Sequence, residues 1–249
     1  MFTEEENEIA REAVRWVGRS VNRKFLLEKF ASPEKYLPDP NPVMFFTAGS
    51  PGAGKTEFIK GLYKEVEELQ QNKIVIIDPD QIRELLPGYT GLNSYLFQKA
   101  ISIAVDDLFR YVQKNHQNVF IDGTFSNYKR AHKNIETSLE LYITINICYV
   151  FQYPSIAWRF TQIREEVEGR NIHLEDFVEK LIEAKNTVDR IKQDFGKDIK
   201  LYIIKKDYLD TKENKAIADV HVGVFDIEKY IDFIYTESNV KRILDEESI

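Results

Sequence analysis

A chain that carries Gly49-Ser50-Pro51-Gly52-Ala53-Gly54-Lys55-Thr56 directly after an apolar run, Val43 to Ala48, and directly before a helical pattern has few folds open to it. The spacing is that of a phosphate-binding loop. Its glycines let the backbone curl so that successive N–H groups point at phosphate oxygens, its lysine brings a cation to the β- and γ-phosphates, and its threonine offers a hydroxyl to Mg²⁺. Strand, loop and helix in that order also aim a helix N-terminus at the anion. From Glu57 to Gln71 the apolar residues Phe58, Ile59, Leu62, Val66 and Leu69 recur at spacings of three and four, as one buried helical face requires. All eight loop residues are therefore expected to bind a nucleoside triphosphate, ATP or GTP, together with Mg²⁺. A plain glycine-rich turn would explain the glycines but not the Lys55-Thr56 pair.

The rest of the chain alternates. Strand-like runs at Val43 to Ala48, Lys73 to Asp78, Asn118 to Ile121, Ile143 to Phe151 and Lys200 to Ile204 are separated by helical patterns at Leu92 to Gln113, Tyr128 to Leu139, Ser155 to Glu168 and Leu174 to Phe195. This order predicts an α/β fold: a P-loop kinase-like, doubly wound parallel sheet with helices on both faces. Ahead of it, Thr3 and Glu6 read as a capping box. Ile9, Ala13, Val14, Trp16 and Val17, then Val21, Phe25, Leu26 and Phe30, read as helical stripes before Pro33, Pro38, Pro40 and Pro42 break the chain. The expected division is an N-terminal helical extension, residues 1–40, and a kinase domain, residues 41–249. Asp226 to Glu247 reads as one or two amphipathic helices with Ile227, Tyr230, Ile231, Phe233 and Ile234 facing inward.

Composition narrows the function classes. The net charge of −7 argues against a broad electrostatic footprint on nucleic acid, so none is expected as a partner. No apolar run approaches the roughly 18 residues of a membrane span, and the acidic start Thr3-Glu4-Glu5-Glu6 is unlike a signal peptide, so a cytoplasmic protein without a membrane partner is expected. Cys148, the single cysteine, excludes an internal disulfide and lies within a strand pattern, where a small buried thiol is the ordinary explanation.

In doubly wound sheets ligands lie at the carboxyl ends of the strands, which directs attention to three segments. The second strand runs into Asp78-Pro79-Asp80-Gln81-Ile82-Arg83. Two carboxylates at i and i+2 share one face if Pro79 keeps the segment extended, and Asp80 is then placed to take the proton of an attacking hydroxyl. Alternatively Asp80 caps a helix starting near Gln81 while Asp78 binds a turn amide. The third strand ends in Asp122-Gly123-Thr124-Phe125-Ser126, where Asp122 is the candidate to hold Mg²⁺ with Thr56 and Thr124 the candidate to bond a substrate; an Asp-Gly turn is the alternative. Downstream, Arg164 and Arg170 flank a helix end near Gly169 and can meet the charge that develops in phosphoryl transfer, unless Arg164 is simply paired with Glu168 four residues on.

Taken together, the proline-bearing loop, Ile77-Asp78-Pro79-Asp80-Gln81-Ile82-Arg83 with Pro87, the Ile121-Asp122-Gly123-Thr124 turn and the Arg164 to Arg170 segment ending Gly169-Arg170-Asn171-Ile172 resemble the zeta toxin family of P-loop kinases over roughly Pro42 to Ile191. The resemblance implies transfer of the γ-phosphate of ATP or GTP to a hydroxyl of a small molecule, which in characterised members is a UDP-activated N-acetyl amino sugar. It implies that Lys55 and Thr56 hold nucleotide and Mg²⁺, that Asp80 is the general base, that Asp122, with Arg83 and Thr124 nearby, faces the acceptor, and that Arg164 and Arg170 stabilise charge. It also implies an antitoxin protein as a partner, with the N-terminal helices either standing in for one or, as in any packed helix pair, completing the core. The turn departs from the family's Glu-Gly-Thr-x-Arg by carrying Asp122 and Ser126. Other P-loop small-molecule or polynucleotide 5′-end kinases, and a non-enzymatic nucleotide-dependent regulatory module, remain as alternatives.

Overall fold

The computed structural model describes residues 2–69, 73–169, 172–206, 214–217, 227–231 and 233–246. Arg170, and the terminal residues Gln71, Asp226 and Glu247 of two expected spans, lie outside them.

Five strands form a parallel sheet: β1 Val43–Ala48, β2 Val75–Ile77, β3 Val119–Ile121, β4 Thr144–Phe151 and β5 Ile199–Lys206, in the spatial order β2-β3-β1-β4-β5. These five strands are thus parallel as expected, and a sixth strand not foreseen in the sequence, β6 Asn214–Ile217, adds antiparallel to β5 at the edge. Four residues flanked by charge carry too little periodicity to announce a strand.

The register sets which side chains meet. Met44 pairs Val119 on one side of β1 and Ile145 on the other, and Phe45 pairs Phe120 and Asn146. With a side-chain period of two, the sheet sorts its apolar residues onto opposite faces. Met44, Phe46 and Ala48 join the main core, whereas Phe45 and Phe120 stack at 4.7 Å under α3 Lys55–Leu69, where Ile59 is buried. The main core is filled by α5 Gln98–Lys114, α6 Tyr128–Glu140 and α8 Leu174–Phe195. A 3-10 turn, Ser94–Phe97, occupies the start of the span expected as one long helix before α5.

The N-terminal segment forms two helices, α1 Glu4–Gly18 and α2 Ser20–Ala31. Thr3 and Glu6 make the reciprocal capping box that opens α1. Both helices pack on α5, and Ala13, Val17, Leu26, Phe30 and Ala31 belong to the main core. Val21, expected to share the stripe, is 70% exposed, and Phe25 is exposed too. At about 100° per residue these two lie on the side of α2 opposite Leu26 and Phe30, so only one pair can face α5.

Between β2 and α5 lies α4, Pro79–Arg83. Pro79 does not hold this segment extended, as the sequence reading expects: it sits at the first helical position, where its missing N–H is no loss and its fixed φ suits the helix. After β4 comes α7, Pro154–Glu168, closed by Gly169 in the left-handed conformation. At the C-terminus a 3-10 turn, Ile227–Lys229, precedes α9, Glu237–Glu246. Ile227, Ile231 and Phe233 are buried as expected, whereas Tyr230 is exposed and Ile234 is 64% exposed. Ile231, Phe233 and Tyr235 alternate inward, the period of an extended chain rather than of the helix expected there.

Candidate functional site

The loop after β1 is built against its neighbours so closely that side chains are excluded. A Cβ on Gly49, at φ 136°, would stand 2.3 Å from the Val150 carbonyl oxygen, and one on Gly52, at φ 71°, 2.1 Å from that of Ala157. Hydrogen alone fits both places, so the loop curls tightly between β4 and the first turn of α7. Lys55 is buried, and its Nζ donates to the carbonyl oxygens of Ser50 at 2.6 Å and Gly49 at 3.2 Å. The ammonium is thus folded over the loop that the sequence assigns to phosphate.

Beside the loop, the Thr56 hydroxyl donates to Asp122 Oδ2 at 2.6 Å. These residues are 66 positions apart, and the parallel pairing of β1 with β3 brings them together. Thr47, which sequence reading missed, completes the arrangement. Its hydroxyl donates to Asp122 Oδ1 at 3.0 Å and accepts the Gly123 N–H at 3.0 Å. The available signal was a hydroxyl in an otherwise apolar buried strand, which must find a partner inside the protein. A hydroxyl and a carboxylate, both hard oxygen donors, suit Mg²⁺, which takes one or two protein ligands and leaves the rest to phosphate and water. Among the described residues there is no group of three or more His, Cys, Asp or Glu able to hold a metal.

Asp78 caps α4: its Oδ1 accepts the Asp80 N–H at 2.8 Å and its Oδ2 accepts from Gln81 Nε2 at 3.0 Å. The capping role considered for Asp80 therefore falls to Asp78. Burial pushes the Asp78 carboxyl above its ordinary range, and the nearby charges of Asp80 and Asp122 add to the effect. Asp80 forms ion pairs instead. Its Oδ1 pairs with Arg83 Nη1 on the same short helix, and its Oδ2 lies 3.3 Å from Arg164 Nη2, which reaches over from α7. Arg83, expected to approach an acceptor, is only 3% exposed, with its guanidinium turned onto Asp80.

Thr124 serves the loop through its backbone: its carbonyl accepts the Gly49 N–H at 3.2 Å, while its hydroxyl is 2.9 Å from that of Ser126. Cys148 is buried and its thiol is pushed up to about 12, so it offers no thiolate at neutral pH. No helix among the described residues is long and apolar enough to cross a membrane.

The fold has known counterparts. A chain of the PezAT chromosomal toxin–antitoxin system of the human pathogen Streptococcus pneumoniae superposes with a TM-score of 0.62 at 17% identity, covering 97% of this chain and 88% of that one. The AvrRxo1-ORF1:AvrRxo1-ORF2 complex with sulphate ions superposes at 0.59 and 12% identity over 92% and 70% of the two chains. The same complex with ATP gives 0.58 and 14% over 92% and 70%. At these identities the likeness is one of fold. No curated protein matches the sequence. The family model for the zeta toxin matches residues 28–218. Because that match runs through both the phosphate loop and the strand ends facing it, the chain belongs to the zeta toxin family and is a nucleotide-dependent P-loop kinase.

Proposed function

We propose that the protein transfers the γ-phosphate of ATP or GTP to a hydroxyl of a small molecule, with a UDP-activated N-acetyl amino sugar as the first acceptor to test. The observation that carries this reading is the Asp80 carboxylate. It stands just beyond the carboxyl end of β2, beside Asp78, whose carboxyl feels the charges of both Asp80 and Asp122, with one oxygen tied to Arg83 and the other directed toward Arg164 of α7.

In the reaction the acceptor oxygen forms a bond to the γ-phosphorus as the bond from phosphorus to the β–γ bridging oxygen breaks. The acceptor's proton passes to Asp80, and the nucleoside diphosphate leaves. Lys55 leaves the Ser50 and Gly49 carbonyls for phosphate oxygens, and Arg164, with Arg170, meets the charge developing on the transferred group. Thr56 and Asp122 are the residues that would hold Mg²⁺, which when bound neutralises charge on the β- and γ-oxygens. Asp122 and Thr124 line the acceptor side, whereas the buried Arg83 contacts Asp80.

We also divide the chain into an N-terminal helical extension, residues 1–40, and a kinase domain, residues 41–249, acting in the cytoplasm. An antitoxin is the protein partner to seek, a reading supported by the likeness to a chain of a toxin–antitoxin system.

The test is incubation with γ-labelled ATP, UDP-N-acetylglucosamine and, separately, a metabolite extract and a 5′-hydroxyl oligonucleotide, to see which species gains label. Asp80→Asn should bind nucleotide normally yet lose transfer by about 10² to 10⁴-fold, the usual contribution of a general base. Transfer by that variant at the wild-type rate removes Asp80 from the chemistry, and label on the oligonucleotide alone redirects the reading to a polynucleotide kinase.

A further inference from the structure

We infer that Arg83 is a positioning residue for the base, not a ligand of the acceptor: its buried guanidinium holds Asp80 Oδ1, so that Oδ2 is the oxygen presented to the substrate. This deepens the phosphotransferase reading and rests on it.

Accessibility is the first argument. An incoming molecule cannot bond a side chain that is 3% exposed, whereas Asp80, at 29%, and Arg164, at 40%, are open to it. Arg83 thus faces the protein, whereas Asp80 and Arg164 are accessible from solvent.

The second argument is local geometry. Asp80 and Arg83 are three residues apart on α4, which puts both side chains on one face of the turn. The turn itself is pinned by the Asp78 cap, by Pro79 at its first position and by the burial of Ile82 and Leu86. The pair therefore moves as a unit with the helix. Arg164 arrives from a different element, 84 residues away, and contacts the other oxygen. Only the Arg83 contact has a direction that is independent of what α7 does.

The third argument is energetic. A guanidinium taken out of water carries a desolvation penalty that one ion pair does not reliably repay, and such pairs can often be replaced by apolar residues without loss of stability. Here the arrangement is not even saturated, because the buried Arg83 Nε has no hydrogen-bond partner. A fork that leaves one donor unused while another is committed to Asp80 is poorly explained by stability and well explained by the need to aim a carboxylate. Asp78, on the other flank, is a buried carboxylate whose charge and that of Asp80 oppose each other, and Arg83 is the cation on the same helix that pairs with Asp80.

If Arg83 is lost, Asp80 loses the contact made from its own helix and keeps that of Arg164, on the oxygen the acceptor needs. The base is then misdirected while the phosphate loop is untouched, so turnover falls and substrate affinity does not. The experiment uses the full chain with Mg·ATP and UDP-N-acetylglucosamine as probes, or whichever species the labelling assay identifies. Arg83→Met fills the same space without charge, and Arg83→Lys restores a single donor. We expect Arg83→Met to keep KM for both substrates within about threefold while lowering kcat by about 30 to 100-fold. Arg83→Lys should recover at least about a third of wild-type kcat, and Arg83→Met added to Asp80→Asn should lower the rate no further than Asp80→Asn alone.

A rise in acceptor KM with kcat preserved would show that Arg83 binds the acceptor and overturn the assignment. So would losses that multiply in the double variant, or equal loss in Arg83→Lys and Arg83→Met. Should Arg83→Met fail to fold, the Lys variant and its double with Asp80→Asn carry the same comparison. A wild-type chain that transfers label to nothing removes the phosphotransferase reading and this assignment with it. Wild-type transfer alongside an unimpaired Arg83→Met removes only the assignment.

Discussion

At the scale of single residues, the loop's glycines and the cap of α4 make separate demands. Gly52 combines φ 71° with a Cβ position 2.1 Å from the Ala157 carbonyl oxygen, so Gly52→Ala must displace backbone in either the loop or α7. We expect a loss of about 2 kcal/mol in stability, read by urea denaturation, and at least about a tenfold weakening of nucleotide binding. Nucleotide binding at wild-type strength would mean the loop reshapes without consequence. Asp78 yields a pH prediction. Its folded-state pKa is raised above the ordinary 3.8, chiefly by burial, so the folded chain binds the proton more tightly than the unfolded chain. Stability then falls as pH climbs from about 3.8 through the raised value, and the ionised carboxylate remains a burden at neutral pH. Asp78→Asn keeps an oxygen for the Asp80 N–H and removes that burden. It should therefore be more stable than wild type near pH 7 and no more stable near pH 3, as judged by denaturant midpoints without Mg²⁺. A gain equal at both pH values would mean that ionisation is not its source.

Individual elements show where local pattern suffices. The capping box of α1, the β1 span and the α8 span follow the sequence reading, because each depends on residues within one or two turns or on simple periodicity. The segment before α9 departs from it, because neighbours made it extended. Tyr235 there reaches back to β4, its hydroxyl 2.6 Å from that of Tyr149, and its backbone N–H donates to Glu228. Lys185 of α8 bridges Asp189 at 3.0 Å and Glu228 at 3.6 Å. Burial drives both phenols well above their ordinary range, so the pair stays protonated at any physiological pH. Tyr235→Phe should cost about 1 to 3 kcal/mol by leaving a buried hydroxyl without this partner, and Tyr149→Phe in the same chain should recover part of the loss. Additive losses in a double-mutant cycle would show that the two hydroxyls are not coupled.

Over the whole molecule, the N-terminal helices and the sheet share one continuous core in which Phe30 and Ala31 meet residues of α5 and the strands. Gln117, just ahead of β3, donates through Nε2 to the Ala31 carbonyl at 3.0 Å and the Tyr36 carbonyl at 2.7 Å, tying the segment after α2 to the base of the sheet. Phe30→Ala should therefore lower global stability by about 3 kcal/mol within a single cooperative unfolding transition. Two transitions, with only the earlier one moved, would show that residues 1–40 unfold independently. Deleting that segment and assaying growth decides whether it restrains the kinase or merely completes its core. By itself the sequence determined the phosphate loop, the order of strands and helices, and the candidates Asp80, Asp122 and Arg164, because glycine spacing, periodicity and the residues at strand ends are local properties. It could not determine which charge meets which. The tie of Asp122 to Thr56 and Thr47, the capture of Asp80 between Arg83 and Arg164, and the antiparallel β6 depend on register and packing between distant segments. Hydrogen bonds and ion pairs act over a few ångströms, and only the folded chain brings residues so far apart in sequence to that distance.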